Sequence, residues 1–378
     1  MKKYGLILAL SSLIAMPVFT SCSDDPEPDK VTDPVAEPSA TSEGVFILTQ
    51  GNSYSQVPGS LSQIDYNKMT VTRDLFQKVN DRSLGTTPQC GLVYGSRIYL
   101  GIYESSTIEI ARRSDMKSEK QIKCDGAATG TQPRAMVADG GYVYISMYDG
   151  NVARLDTTTL SIDKVLKVGP NPETPAIFNG KMFVPNSDGM NYTVGYGTTA
   201  SIIDLASFSV EATVEVPLNP NQFLVSGSRL FLLSKGDYGM IESALYEIDP
   251  DIVNIQKKNE ESKGWRKIAR ATLVAAGNGY IYMSDTPFSE EGIVINYSRY
   301  DVAKGEIAEW KPSDIIYPSA IAVDPVSGRI VVTSYVMNGK WPSYEADGYA
   351  NLYSPEGIFE KKFEIGAGTP AIFFNTDK

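Results

Sequence analysis

The sequence predicts an all-β protein, a seven-bladed β-propeller closed by pairing of its N- and C-terminal strands. Three observations carry that prediction. A strand-rich unit recurs at a spacing of roughly 42 to 52 residues, the length of four short antiparallel strands with their turns. The last copy breaks off after one strand, while the start of the strand-rich region supplies three strands with no opening one. Tyr (22) outnumbers Phe (13), and 32 glycines suit strands joined by many turns.

In chain order, GVFILTQG (44–51), SLSQIDY (60–66) and TVTRDLF (70–76) are the three unaccompanied strands. Full copies open at Thr87 (TPQCGLVYGSRIYLGIY), Gln132 (QPRAMVADGGYVYISMYDG) and Thr174 (TPAIFNGKMFVPNSDG). Three more open at Asn219 (NPNQFLVSGSRLFLLSKGD), Ala269 (ARATLVAAGNGYIYMSDTP) and Tyr317 (YPSAIAVDPVSGRIVVTSY). The fragment TPAIFFNTDK, from Thr369, is the strand that the N-terminal three lack. Chain ends that complete one another close a ring and leave no unpaired sheet edge.

Ahead of the repeats, MKK and the apolar run YGLILALSSLIAMPVF form a leader ending at Cys22. It resembles a bacterial lipoprotein signal, which implies removal of residues 1–21 and lipidation of Cys22; the plainer alternative is a secretory peptide with a chance cysteine. Residues 22–43 are acidic and Pro-rich and read as a disordered tether, leaving 44–378 for the propeller. Asp24 and Asp25 beside the cysteine resemble the signal that sends Bacteroidetes lipoproteins to the outer face of the outer membrane. Cys90 and Cys124 permit one disulfide but match no metal or redox spacing, and they are expected to be free and partly buried.

In each blade the first strand begins, and the second ends, on the same face. The loops on that face are long and aromatic. They carry Tyr54, Tyr103, Tyr148, Tyr192, Tyr196, Tyr238 and Phe288, and the longest (SYVMNGKWPSYEADG) carries Tyr335, Trp341 and Tyr344. Such rings bury area at low entropy cost while keeping a polar tip, which suits a ligand or a partner; the alternative is packing between blades. The turns that open the blades place Gln89, Arg134, Glu173, Asn221, Arg270 and Tyr317 toward the centre of this face, a shallow polar funnel. Arg134 and Arg270 could instead pair with acidic neighbours.

The chain contains no histidine, which removes Ser-His-Asp and Cys-His catalysis and every His-ligated metal. A formal charge of −11 disfavours nucleic acid. AAGNGY (275–280) is a turn between strands, not a phosphate loop. NSDGMN (186–191) and EADG (345–348) lack calcium-loop spacing. A carboxylate-held metal remains open only if several of Glu104, Asp149, Glu173, Asp237 and Glu345 converge. No cofactor, metal or covalent chemistry is therefore expected.

GVFILTQGN (44–52), GSLSQIDY (59–66), DLFQKVNDRSLGTTPQ (74–89) and GSRIYLGIYESSTIEI (95–110) resemble the YncE-like seven-bladed propeller lipoproteins of Bacteroidetes, which include cobalamin-capturing proteins of the BtuG type. The resemblance runs over residues 44–375. It implies a surface lipoprotein that captures cobalamin (vitamin B12) or a related corrinoid in the funnel. It further implies delivery of that cargo to a TonB-dependent outer-membrane transporter of the BtuB kind, with membrane contact through the lipid anchor alone. The rivals are a surface glycan-binding module and a metal-dependent, lactonase-type propeller hydrolase.

Overall fold

The computed structural model describes residues 40–258, 262–287 and 293–376, so the leader, Cys22 with most of the tether, and Phe288 lie outside the described residues. Seven four-stranded antiparallel sheets make up the described chain. Blade 1 is the composite one. Its three outer strands are Ser42–Thr49, Ser60–Asp65 and Thr70–Thr72, and its innermost strand is Ala371–Thr376. The first strand thus begins at Ser42, inside the segment read as tether, and the Ser42 hydroxyl donates to Asp324 of blade 7. Blades 2 to 7 occupy 88–123, 133–167, 176–215, 220–270, 273–309 and 317–364.

Both faces of the middle strands are buried, so consecutive residues serve opposite interfaces. In Ser42–Thr49, Val45 and Ile47 pack toward blade 7, whereas Phe46 and Leu48 pack toward blade 2. Seven apolar clusters result, each spanning two adjacent blades. Phe46 stacks on Phe373 with centroids 5.4 Å apart, so one ring from each end of the chain meets in the same cluster. This contact, with the ladder between the terminal strands, holds the ring closed.

The hairpins on the opposite face repeat a five-residue turn. Asp65 and Asp156 each accept two backbone N–H bonds at 2.8–2.9 Å from the residues two and three positions on, and Asp301 does so at 3.0–3.1 Å. Asp204 accepts from the Ser207 amide at 2.8 Å. The fifth residue is left-handed: Met69, Leu160, Phe208 and Gly305 have φ of 52°, 53°, 50° and 74°. Only one of the four is glycine, although glycine pays least for this conformation. Phe208 shows the reason: its ring lies 5.7 Å from Tyr144 and under the Arg154 guanidinium of blade 3, so it plugs the interface. Cys90 and Cys124 are unpaired, as expected, but buried and not merely partly so, and burial pushes both thiols up to about 12.

Two short helices, Leu75–Asn80 and Ile252–Lys257, one 3-10 turn, Gly189–Asn191, and two small ribbons complete the described structure. One ribbon, Met337–Asn338 with Trp341–Pro342, is the core of the long loop of blade 7 and carries Trp341 beside its turn.

Candidate functional site

The centre of the loop-rich face is shaped by a repeated device. Four blades open with a proline followed by a polar residue: Pro88-Gln89, Pro133-Arg134, Pro220-Asn221 and Pro318-Ser319. In each, the pairing register skips one residue, between Pro88 and Cys90, Pro133 and Ala135, Pro220 and Gln222, and Pro318 and Ala320. Proline has no N–H to give the ladder, so a bulge at this position forfeits little and re-aims the next side chain. The skipped residues Gln89, Arg134, Asn221 and Ser319 all line a central cavity of about 330 Å³. Blades 1 and 4 open Thr-Pro-Ala, with no register skip beside the proline, and Ala371 of blade 1 lines the same cavity.

Two cations and one carboxylate occupy this centre. The Arg134 Nε donates to Glu173 Oε2 at 2.8 Å, and the Ser187 hydroxyl donates to Oε1 at 3.2 Å. Glu173 is buried; Arg134 is half-buried and lies over the Tyr148 ring at 5.2 Å. The second cation is Lys235, whose Nζ donates to the Thr272 carbonyl at 2.5 Å. Burial pushes the Lys235 amine down to about 8, opposed by Glu173 and assisted by Arg134.

Lys235 was not among the residues singled out from the sequence, although a signal for it exists. The residue at the end of the second strand donates its N–H to the carbonyl of the residue before the opening proline. Tyr103 does so to Thr87, Tyr148 to Gln132 and Lys235 to Asn219, at 2.9–3.0 Å. Aligning the repeats on this bond puts Lys235 in the place of two tyrosines that were singled out. Ser319 was also missed, and only the bulge reveals it.

Two expected funnel residues lie elsewhere. Arg270 ends the fourth strand of blade 5, three residues before the opening of blade 6, and pairs with Glu242 at 2.6 Å and Asp285 at 3.1 Å. With Tyr317 and Tyr238 it lines a neighbouring cavity of about 630 Å³ between blades 5, 6 and 7, which shares Lys235 and Leu273 with the central one. The structural alternative thus accounts for Arg270, and in part for Arg134, which pairs with Glu173 yet stays at the centre.

The aromatic loops form linked pairs and isolated rings. Tyr103 meets Tyr148 edge-on at 5.6 Å, and Tyr196 meets Tyr238 at 5.7 Å. Tyr335 joins Tyr317 at 6.1 Å to Tyr344 at 5.1 Å, and burial followed by these two neighbours pushes its phenol up to about 12. Tyr54, Tyr192 and Trp341 stand exposed. Among the described residues fifteen large hydrophobics are exposed, and eleven lie in loops of this one face, including Met190, Val194, Met240 and Ile316. Exposed apolar side chains are thus concentrated on one face instead of scattered singly over the surface.

The carboxylates do not converge. Among the described residues no three His, Cys, Asp or Glu gather in a metal-holding group. Glu104 accepts from Ser53, Asp149 from the Thr131 amide, Asp237 from the Gly239 and Ile241 amides and Glu345 from Ser55, each within the loops. Glu173 alone of the five lines the central cavity.

No protein-family model matches the chain, and no curated protein matches it. Solved structures do. A protein from Bacteroides uniformis, provisionally described as a 6-phosphogluconolactonase, superposes with a TM-score of 0.59 at 11% identity, covering 88% of this chain and 99% of its own. A Lactobacillus plantarum protein gives 0.57 at 13%, with the same coverage, and Kuenenia stuttgartiensis hydrazine synthase gives 0.56 at 15%, covering 74% and 87%. At these identities the likeness shows the fold, a seven-bladed β-propeller, and nothing of the chemistry.

Proposed function

We propose that this protein is a ligand-capture propeller of the cell surface, which takes cobalamin or a related corrinoid on its loop-rich face and passes it to a TonB-dependent transporter. The observation that carries the reading is the one-sided distribution of exposed rings and aliphatic side chains around a polar centre. A corrinoid is broad and amphipathic, with amide arms around an extended ring system. Tyr344, Trp341, Tyr238 and Tyr192 offer faces for the ring, while Gln89 and Asn221 offer amide partners. The central cavity, at about 330 Å³, is small for so broad a molecule, so most of the contact falls on the rim. With no histidine in the chain, bound cobalamin keeps its own lower base. Lipidation at Cys22 and exposure at the outer membrane complete the proposal.

A lactonase reading takes its support from one structural neighbour's description. It lacks a donor set among the described residues, where the central carboxylate is already engaged by Arg134. The test is calorimetric titration of the purified full chain with cyanocobalamin. One-to-one binding that weakens about tenfold in Trp341→Ala or Tyr344→Ala supports the reading, the loss expected for an aromatic anchor. Absence of heat and of any thermal shift at saturation rejects the corrinoid; heat from an oligosaccharide would then establish the glycan-binding alternative.

A further inference from the structure

The central cavity carries more positive charge than the apolar rim needs. Glu173 is recessed, and its two oxygens are engaged by Arg134 and Ser187, so it presents little to a ligand. Lys235 has a single partner, the neutral Thr272 carbonyl, and forms no ion pair among the described residues. An ammonium has three donors, so two remain. Arg134 spends its Nε on Glu173 and keeps its terminal nitrogens for other acceptors. Around them stand further donors: the amides of Gln89, Asn221 and Gln222 and the hydroxyls of Thr174 and Ser319. Two cations against one engaged carboxylate leave a net positive centre in a chain of formal charge −11. Holding an ammonium in such a place with no ion-pair partner of its own is costly unless an anion arrives.

We infer that the central cavity is an oxyanion site, in which Lys235 and Arg134 receive a phosphate or carboxylate group of the captured ligand while the aromatic rim holds its apolar body. The inference rests on this face being the binding face, but not on the ligand being a corrinoid. It makes Lys235 a sensor of occupancy. Without an anion, burial lowers its amine to about 8; a bound oxyanion favours the charged form and raises it. The charged and titratable groups around Lys235 are Arg134, Glu173 and the Cys90 thiol on the central side, and Glu242, Arg270, Asp285, Tyr238 and Tyr317 in the neighbouring cavity. Glu242 and Asp285 are committed to Arg270. Affinity for an anion that does not itself titrate is therefore flat below about pH 8 and falls about tenfold per pH unit above it, until the raised value of the occupied site is reached.

Competitive acetylation of the purified full chain, read by mass spectrometry, tests this at the residue itself. The probes are sodium sulfate and sodium acetate, neither of which titrates between pH 6 and 10. Sodium chloride at equal ionic strength is the control. Labelling of Lys235 should rise with a midpoint near pH 8. It should slow at least about threefold in about 20 mM oxyanion, with exposed Lys68 unaffected. Protection by sulfate alone assigns a phosphate-like group, by acetate alone a carboxylate, and by both a general oxyanion site. Equal labelling in all three salts, or equal protection by chloride, overturns the inference. In Lys235→Gln the neighbouring signal, protection of Arg134 from phenylglyoxal by the same anion, should be lost; its persistence would assign the anion to Arg134 alone and overturn the role of Lys235. Wild-type labelling stands if that variant fails to fold. Protection without cyanocobalamin binding would reject the corrinoid and keep the oxyanion site; the reverse would do the opposite.

Discussion

Glu173→Gln is the substitution whose consequences follow most directly from the geometry. It keeps the shape of the side chain and one acceptor oxygen for Arg134, and it replaces the charge and the oxygen that faces Ser187 with a neutral amide. The Glu173 side chain is 6% exposed and that of Arg134 27%, so the pair is largely removed from water. Breaking a buried pair by removing one partner costs about 3–5 kcal/mol, because the other charge stays behind without compensation. Arg134 borders the central cavity and glutamine retains one acceptor for it, so about 2–3 kcal/mol is expected here. Lys235 adds to the cost, since it loses the carboxylate that favours its charged form. Urea unfolding followed by tryptophan fluorescence and far-UV circular dichroism measures the change, with coincident transitions as the check on two-state behaviour. A double-mutant cycle with Arg134→Met isolates the pair: the double variant should recover more than half of the loss. A second reading comes from Lys235, whose labelling midpoint should move below pH 8 in Glu173→Gln. A loss under about 0.5 kcal/mol with an additive cycle would show that the pair is hydrated and that the electrostatic account of the centre is wrong.

Phe373→Ala removes the ring that joins the chain's two ends and should cost about 3–4 kcal/mol, read as a lower urea midpoint. A loss below about 1 kcal/mol would mean that the terminal ladder closes the ring without this contact. The turn aspartates give a pH dependence. Backbone and side-chain hydrogen bonds from Lys68, Thr159, Ser207 and Lys304 lead in holding Asp65, Asp156, Asp204 and Asp301, respectively, below the usual aspartate range. Their contribution is complete above the unfolded-state value near pH 4 and disappears as pH falls through the lower folded values. The melting temperature should therefore drop between about pH 4 and pH 2, less steeply in Asp156→Asn with Asp204→Asn; an unchanged slope in that variant would remove these turns as the cause.

The architecture was legible because it is local and repeated. Each copy carries its own strand alternation and turn residues, and the one-strand fragment at Thr369 needs the strands after Gly44 to be complete. Asx turns and proline act within a few residues, so a linear pattern records them faithfully. The aromatic face was legible for the same reason, since strand order alone decides on which side a loop emerges.

What the sequence could not place was anything that depends on register or on neighbouring blades. Arg270 sits three residues before the opening of blade 6, a displacement that the repeat pattern does not show, and it turns to Glu242 and Asp285 instead of the centre. Ser319 enters the cavity because of a bulge, and a bulge is decided by pairing partners far along the chain. The place of Lys235 in the repeat can be aligned, but not its neighbours; only closure of the ring brings it beside Arg134, 101 positions away in the numbering, and Glu173. Sequence by itself determined the blades and the face on which their loops emerge, because those follow from hydrogen-bonding and side-chain alternation within each repeat. Tertiary structure alone decided the charge at the centre, because that charge is the sum of side chains from different blades, held together in partial exclusion of water.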